Sequence, residues 1–126
     1  MKFAKYTFMI GGILGLIALV PQYLMENKVG TDNPPAITHP EFFYGFLGVA
    51  IAFQIAFLII ASDPVKYRLM ILPSIVEKFS FGIAVVVLFL TNRAAGQIVI
   101  AATLDLILGC LFIVSWFKLQ GQNREK

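Results

Sequence analysis

The chain has 126 residues, of which 59% are hydrophobic and only 13% are charged, and its formal net charge is +3. This composition leaves little sequence for a water-soluble domain, so one compact bundle of membrane helices is predicted. Nucleic acid is not an expected partner, because the placement of the basic residues accounts for the positive charge.

Four apolar runs divide the chain. They cover about residues 5–21, 41–62, 69–91 and 97–117, with charged or proline-rich segments between them. A helix needs about 20 apolar residues to cross about 30 Å of hydrocarbon, which is close to the length of each run. The sequence therefore predicts an all-α fold, an integral membrane four-helix bundle, in a single domain over residues 1–126.

Basic residues concentrate at one end of the predicted spans. With the N-terminus in the cytoplasm, only Lys28 and Arg93 lie outside, and the inner set is Lys2, Lys5, Lys66, Arg68, Lys118, Arg124 and Lys126. Because Lys and Arg are retained on the cytoplasmic side, both termini are predicted to be cytoplasmic. Residues 22–40 then form an external loop and residues 118–126 a disordered cytoplasmic tail. We expect a multi-pass protein of the bacterial inner (plasma) membrane, in contact with the lipid bilayer.

Small residues mark one face of the first span. Thr7, Gly11 and Gly15 recur every four residues, which predicts a smooth face turned toward the bundle. Pro21 ends or kinks this helix, and the Asn-Pro-Pro sequence at 33–35 prevents regular structure in the middle of the external loop.

Prolines also indicate where the next two spans begin. Pro40 in a first turn and Glu41 beside the positive end of the helix dipole indicate the start of the second span. Asp63 followed by Pro64 predicts a helix start and therefore a very short inner loop. Pro73 predicts either a kink in the third span or a boundary between an interfacial turn and the membrane helix.

Polar side chains inside the spans are the candidate ligand- or proton-binding residues. At about 1.5 Å of rise per residue from the outer helix ends, Gln54 and Glu77 lie roughly 18–20 Å deep and Asp105 about 10–11 Å deep. The acids are therefore expected at two levels. A layer of Glu77, Gln54, Thr7 and either Lys5 or Lys78 is geometrically possible at the deeper level.

Glu77 and Lys78 have two interpretations. Ser74 and Ser80 flank Glu77 at three-residue spacing, which predicts a small polar stripe facing inward and a functional Glu77. Alternatively, a span that begins only at Pro73 leaves the pair near the inner surface, as a salt-bridged anchor whose Lys78 extends to the interface.

Asp105 favours a functional interpretation, because no basic residue shares its span. Ala101 and Gly109 at four-residue spacing place it on a close-packed inward face, and the nearest expected cations are Arg93 and His39 from outer loops.

The outer mouth supplies a second set of candidates: His39, Glu41, Tyr44 and Arg93. With Asp105 below them, His39 and Glu41 could form a metal or acid/base site. A single histidine without a second nitrogen ligand is weak evidence for a metal, so a helix-capping Glu41 beside an exposed His39 is favoured. We expect no metal and no cofactor.

The four-span layout and the small-residue first helix resemble the DoxX-type group of small four-helix inner-membrane proteins. The resemblance is one of overall plan and covers nearly the whole chain, and the segments at 39–46 and 63–68 look like signatures of a narrower family. It implies a four-helix membrane fold and an accessory role, and it assigns no site residue.

Three function classes follow from inward-facing acids without a catalytic constellation. The leading hypothesis is a noncatalytic bundle that binds a small apolar or amphipathic ligand, or a membrane partner, with Asp105 and Glu77 as polar contacts. Small-residue faces equally suit a homo-oligomer. The alternatives are a membrane enzyme that uses Asp105 or Glu77 as general acid/base on a lipid-soluble substrate, and a proton- or ion-coupled oligomeric transporter.

Overall fold

The computed structural model describes residues 1–124, and within that range it consists of helices and turns. The helices are α1 (Lys2–Leu19), α2 (Glu26–Asp32), α3 (Pro40–Ser62), α4 (Ile71–Leu90) and α5 (Gly96–Arg124). A 3-10 turn extends α1 over Val20–Leu24, and another leads into α4 over Arg68–Met70. Four helical segments are long and apolar enough to cross a membrane. The predicted all-α four-helix architecture is therefore confirmed.

The outer surface of the bundle is strongly apolar. In each long helix, the most apolar stretch of 18 residues has only between 22% and 28% of its residues buried inside the protein. Large side chains such as Ile17, Val49, Val76 and Ile100 are exposed on all four long helices. In water these faces would form an apolar patch of a size that monomeric soluble proteins rarely expose, whereas a bilayer matches them. The fold is compatible with a multi-pass membrane protein.

The structure differs from the sequence-based boundaries at two places. The short helix α2 lies within the segment 22–40 that was expected to be a loop. The segment from Lys118, expected to be disordered, continues α5 as far as Arg124, and residues 125–126 lie outside the described part of the chain. Leu119 explains this extension, because its side chain is fully buried against the core and prolongs the apolar face of α5.

The connection between α3 and α4 is short, as predicted. The Asp63 carboxylate accepts a hydrogen bond from the Lys66 backbone N–H at 3.0 Å and caps the first turn after α3. The 3-10 turn Arg68–Met70 leads directly into α4, so Pro73 lies in the first turn of α4. Proline is tolerated there because its missing N–H removes no hydrogen bond within the helix.

The helices pack as two antiparallel pairs. Helix α1 packs along α3, α4 packs along α5, and α1 also contacts α5, whereas α3 and α4 meet over only a short stretch. Gly12 and Gly82 allow close approach within the pairs, because a Cβ atom would lie 3.0 Å from the Gln54 carbonyl oxygen and 3.3 Å from the Ala102 carbonyl oxygen, respectively.

Three phenylalanine rings form the centre of the core. Phe8 stacks on Phe112 with 4.1 Å between centroids, and Phe57 meets the edge of Phe112 at 5.0 Å. The buried cluster around them lies toward the end of the bundle that holds the N-terminus of α1 and the C-terminal part of α5. In the other half of the bundle, a groove separates α3 from α4.

Candidate functional site

A buried ammonium group lies at the middle of the candidate site. Lys78 on α4 is only 4% exposed. Its Nζ donates a hydrogen bond to Asp105 Oδ1 on α5 at 3.1 Å and lies 3.5 Å from Glu77 Oε2. The same nitrogen lies 5.2 Å from the centroid of the Phe57 ring on α3, within range of a cation–π interaction. We call Glu77, Lys78 and Asp105 the charge triad.

The rotation of α4 about its axis determines which member of the triad faces inward. The buried residues of α4 are Ile71, Ser74, Lys78, Gly82 and Val85. Their spacing of three and four residues defines one helix face with Lys78 at its centre. The predicted inward stripe around Glu77 is therefore wrong in part, because Ser74 is buried but Ser80 is exposed. In the alternative interpretation, the Glu77–Lys78 salt bridge agrees with the structure at 3.5 Å, but the extension of Lys78 to the interface does not, because Lys78 is buried.

Asp105 has a partner that sequence reasoning did not identify. Arg93 and His39 were the expected cations, but the ion pair forms with Lys78. By helix rise, Lys78 lies about 18 Å from the end of α4 at Leu90 and Asp105 about 14 Å from the start of α5 at Gly96. The long lysine side chain bridges this difference in level. Asp105 faces inward as predicted, although Ala102 rather than Ala101 is the buried alanine beside it.

With both acids ionised, the triad carries one negative charge in excess, since two carboxylates then share one ammonium group. The side chains of Glu77 and Asp105 are 16% and 21% exposed, so both carboxylates are largely removed from solvent or lipid. Asp105 holds the hydrogen bond with Lys78, whereas Oε2 of Glu77 is buried and has no hydrogen-bond partner within residues 1–124. Glu77 is therefore the less satisfied of the two acids.

Glu77 lies at the wall of the groove between α3 and α4. The groove has a volume of about 320 Å³, and its other lining residues are Phe46, Val49, Ala50, Ser80 and Phe81. Phe46 and Phe81 stack across it, with 5.9 Å between ring centroids. Asp105 does not line this groove. Sequence reasoning missed Phe46 and Phe81, although the spacing of Phe81 four residues after Glu77 places both on one face of a helix.

The predicted polar layer at the level of Glu77 is not assembled. Gln54 is 1% exposed, and its Nε2 donates to the Ala50 carbonyl oxygen at 3.0 Å. Its carboxamide packs against Gly15 of α1, where a Cβ atom would collide with it. Thr7 is half-buried and Lys5 is exposed. In the described part of the chain, no hydrogen bond or ion pair joins any of these three residues to the charge triad.

The outer-mouth candidates form two separate contacts. His39 and Glu41 lie 3.3 Å apart and are well exposed, as the capping interpretation predicts for His39. Tyr44 donates a hydrogen bond to Glu26 on α2 at 2.8 Å and stacks on Tyr23, which ties α2 to α3. Arg93 lies exposed in the turn between α4 and α5. Across residues 1–124 these groups make no hydrogen bond or ion pair with Asp105, so the metal or acid/base site considered for this mouth is not assembled.

Neither a metal-binding cluster in the described part of the chain nor a known relative indicates the function of the site. Within the described chain, no group of three or more His, Cys, Asp or Glu side chains could hold a metal ion. Comparison with models of known protein families, with curated proteins and with solved structures finds no match to this chain. The resemblance to the DoxX-type group therefore stays a prediction.

Proposed function

We propose that this chain is an integral membrane protein that binds a small amphipathic molecule, without chemical conversion, in the groove between α3 and α4. Glu77 is its polar contact. The observation that carries the proposal is the presence of the Glu77 carboxylate, beside one serine, in the wall of a groove whose other four lining residues are apolar. Ligand sites typically combine an apolar lining with a few polar groups, and about 320 Å³ is at the lower end of their size range.

The position of the groove supports entry of the ligand from the bilayer. Phe46 and Val49 are exposed on the lateral surface of α3, where acyl chains contact the protein. Glu77 lies about 20 Å of helix rise from the end of α4 at Leu90, within the hydrocarbon region of a bilayer. Ionisable residues at that depth are costly and usually serve a ligand, an ion or a proton.

Binding is favoured over acid/base catalysis by the state of the two acids. A two-acid mechanism needs both carboxylates on one substrate, whereas Asp105 is hydrogen-bonded to Lys78 and lies outside the groove lining. Asp105 then acts indirectly, by holding the ammonium group in place behind Glu77.

Photo-crosslinking in lipid nanodiscs tests the proposal. The probes are two alkyl diazirines of equal length, one ending in a hydroxyl and one in an amine. We expect saturable labelling of at least one probe within the peptides around Phe46 and Phe81. Val49→Trp should fill the groove and abolish it, whereas Val114→Trp, at a comparably exposed position on α5, should not. Labelling by neither probe, or equal labelling of both variants, would overturn the proposal.

A further inference from the structure

We infer that the ligand of this groove is a lipophilic monocation, an alkylammonium ion whose charged head contacts Glu77 and whose chain lies along Phe46 and Phe81. This inference rests on the proposed function and narrows it to one class of ligand. Three independent features of the groove support it: its hydrogen-bonding character, its charge and its aromatic lining.

The polar groups of the groove accept hydrogen bonds and offer none. Ser80 Oγ donates its only hydrogen to the Glu77 carbonyl oxygen at 3.1 Å, so what remains on that oxygen is acceptor capacity. Glu77 supplies a carboxylate, and the other four lining residues are apolar. The nearby donor, Lys78 Nζ, is already directed at Asp105. A ligand that satisfies this groove must therefore bring a donor or a positive charge.

The charge of the triad points to a single positive charge on the ligand. With both acids ionised, Lys78 neutralises one carboxylate, and one negative charge is left beside the groove. An unbalanced charge in a low-dielectric site is costly, and a proton on Glu77 or a monovalent cation beside it removes that imbalance. Since Asp105 already has the hydrogen bond to Lys78, the groove-lining Glu77 is the carboxylate that a ligand reaches.

The aromatic lining fits an alkylammonium head better than a small inorganic cation. Phe46 and Phe81 both line the groove, and the faces of aromatic rings attract cations. Small inorganic cations require several oxygen ligands, whereas the groove offers one carboxylate and one hydroxyl oxygen. Alkylated ammonium groups are bound by aromatic rings with few oxygen contacts. The inference therefore specifies an organic cation.

The test compares hexyltrimethylammonium with 2,2-dimethyloctane, its uncharged carbon isostere, as competitors of photoprobe labelling. Both are compared in phosphatidylglycerol nanodiscs at equal bilayer-bound amounts per lipid, measured in protein-free discs, so that their different partition into the bilayer cancels. We expect the cation to compete at least about 10-fold better than the isostere, as a charge-assisted contact implies. In phosphatidylethanolamine discs, weaker competition by the added cation would identify the lipid amine headgroup as the source of the same chemistry, and unchanged competition would identify a free amine.

Glu77→Gln separates ligand binding from folding. This variant keeps the Lys78–Asp105 pair. It should weaken competition by the cation about 10-fold to 100-fold, whereas competition by the isostere should change by no more than about twofold. Glu41→Gln, which removes the same charge from the outer mouth, should leave both unchanged. Phe81→Leu should reduce competition by the cation about 3-fold to 10-fold.

Two outcomes distinguish failure of this inference from failure of the proposed function. Equal competition by the cation and its isostere, with labelling still blocked by Val49→Trp, would refute the cation and leave an amphipathic site. If Glu77→Gln weakened competition by the cation and by the isostere equally, the inference would also be refuted, because Glu77 would then act only on the shape of the groove. Absence of saturable labelling by either probe would remove both proposals.

Discussion

Replacement of Lys78 by Met tests whether the charge triad is a single energetic unit. Lys78 lies 3.1 Å from Asp105 and 3.5 Å from Glu77. Coulomb's law with an effective dielectric constant of about 20 gives about 5 kcal/mol of attraction for each contact, before desolvation is subtracted. Removing the ammonium group leaves two largely buried carboxylates without a cation. Because breaking a buried ion pair typically costs about 3–5 kcal/mol, we expect Lys78→Met to lower the free energy of unfolding by that amount.

Asp105→Asn should cost less, although it removes the shorter contact. Lys78 then retains Glu77 at 3.5 Å, and the excess negative charge disappears. We expect a loss of about 1–2 kcal/mol, in the range of a single hydrogen bond to a charged group. In the double variant, no Lys78–Asp105 pair is left to break. The double variant should therefore be less destabilised than the sum of the single variants, by about 1–3 kcal/mol.

The assay is equilibrium unfolding of the full chain by SDS in mixed micelles, followed by fluorescence of Trp116, the single tryptophan. Lys5→Met is the matched control, because Lys5 is exposed on α1, and it should change stability by no more than about 0.5 kcal/mol. Additive single variants, or a Lys78→Met variant no less stable than Asp105→Asn, would refute the reasoning that one ammonium group balances both acids.

Three further predictions follow, two on packing that are measured by the same unfolding assay and one on the hydrogen bond of Tyr44 that is measured by amide exchange. Gly12→Ala should destabilise the protein by about 1–3 kcal/mol, because its Cβ would meet a leucine side chain at 2.9 Å and a backbone carbonyl oxygen at 3.0 Å. The control Gly11→Ala has no contact closer than 3.6 Å and should be neutral or stabilising. The opposite order of stabilities would contradict the described helix spacing. Phe112→Ala should lower the free energy of unfolding by about 2–4 kcal/mol, because it leaves a cavity in the aromatic core. The control Phe117→Ala, on an exposed face, should lower it by less than about 1 kcal/mol. Equal losses of stability in the two variants would argue against the core assignment. Tyr44→Phe should leave global stability within about 1 kcal/mol and speed amide exchange in α2, and unchanged exchange there would show that the bond to Glu26 does not hold α2.

Much of the fold could be predicted because it depends on local sequence. The four long helices, the short inner turn at Asp63 and the helix start at Pro40 follow from apolar runs and proline positions, which act within one or two turns of a helix. Helix α2 and the helical extension of α5 were not predicted. Leu119 depends on a contact with the core that lies far from it in sequence.

For the candidate site, the sequence predicted which polar residues lie in the spans but not how their side chains are oriented. The sequence identified Glu77, Lys78 and Asp105 as polar groups in apolar spans, but it left open whether Glu77 faces inward or forms a salt-bridged anchor with a Lys78 that extends to the interface. The structure buries Lys78 at the centre of the inward face of α4 and places Glu77 in the wall of the groove. Adjacent helix residues point about 100° apart, and hydropathy alone does not distinguish two neighbouring charged residues.

By itself, the amino-acid order determines how many helices this chain forms and that charged side chains interrupt their apolar faces, because hydrogen bonding within a helix and the length of an apolar run are local properties. Only the tertiary structure decides that Lys78 faces Asp105 and Phe57 while Glu77 faces the groove. The rotation of each helix depends on packing against its neighbours, which involves residues far apart in the chain.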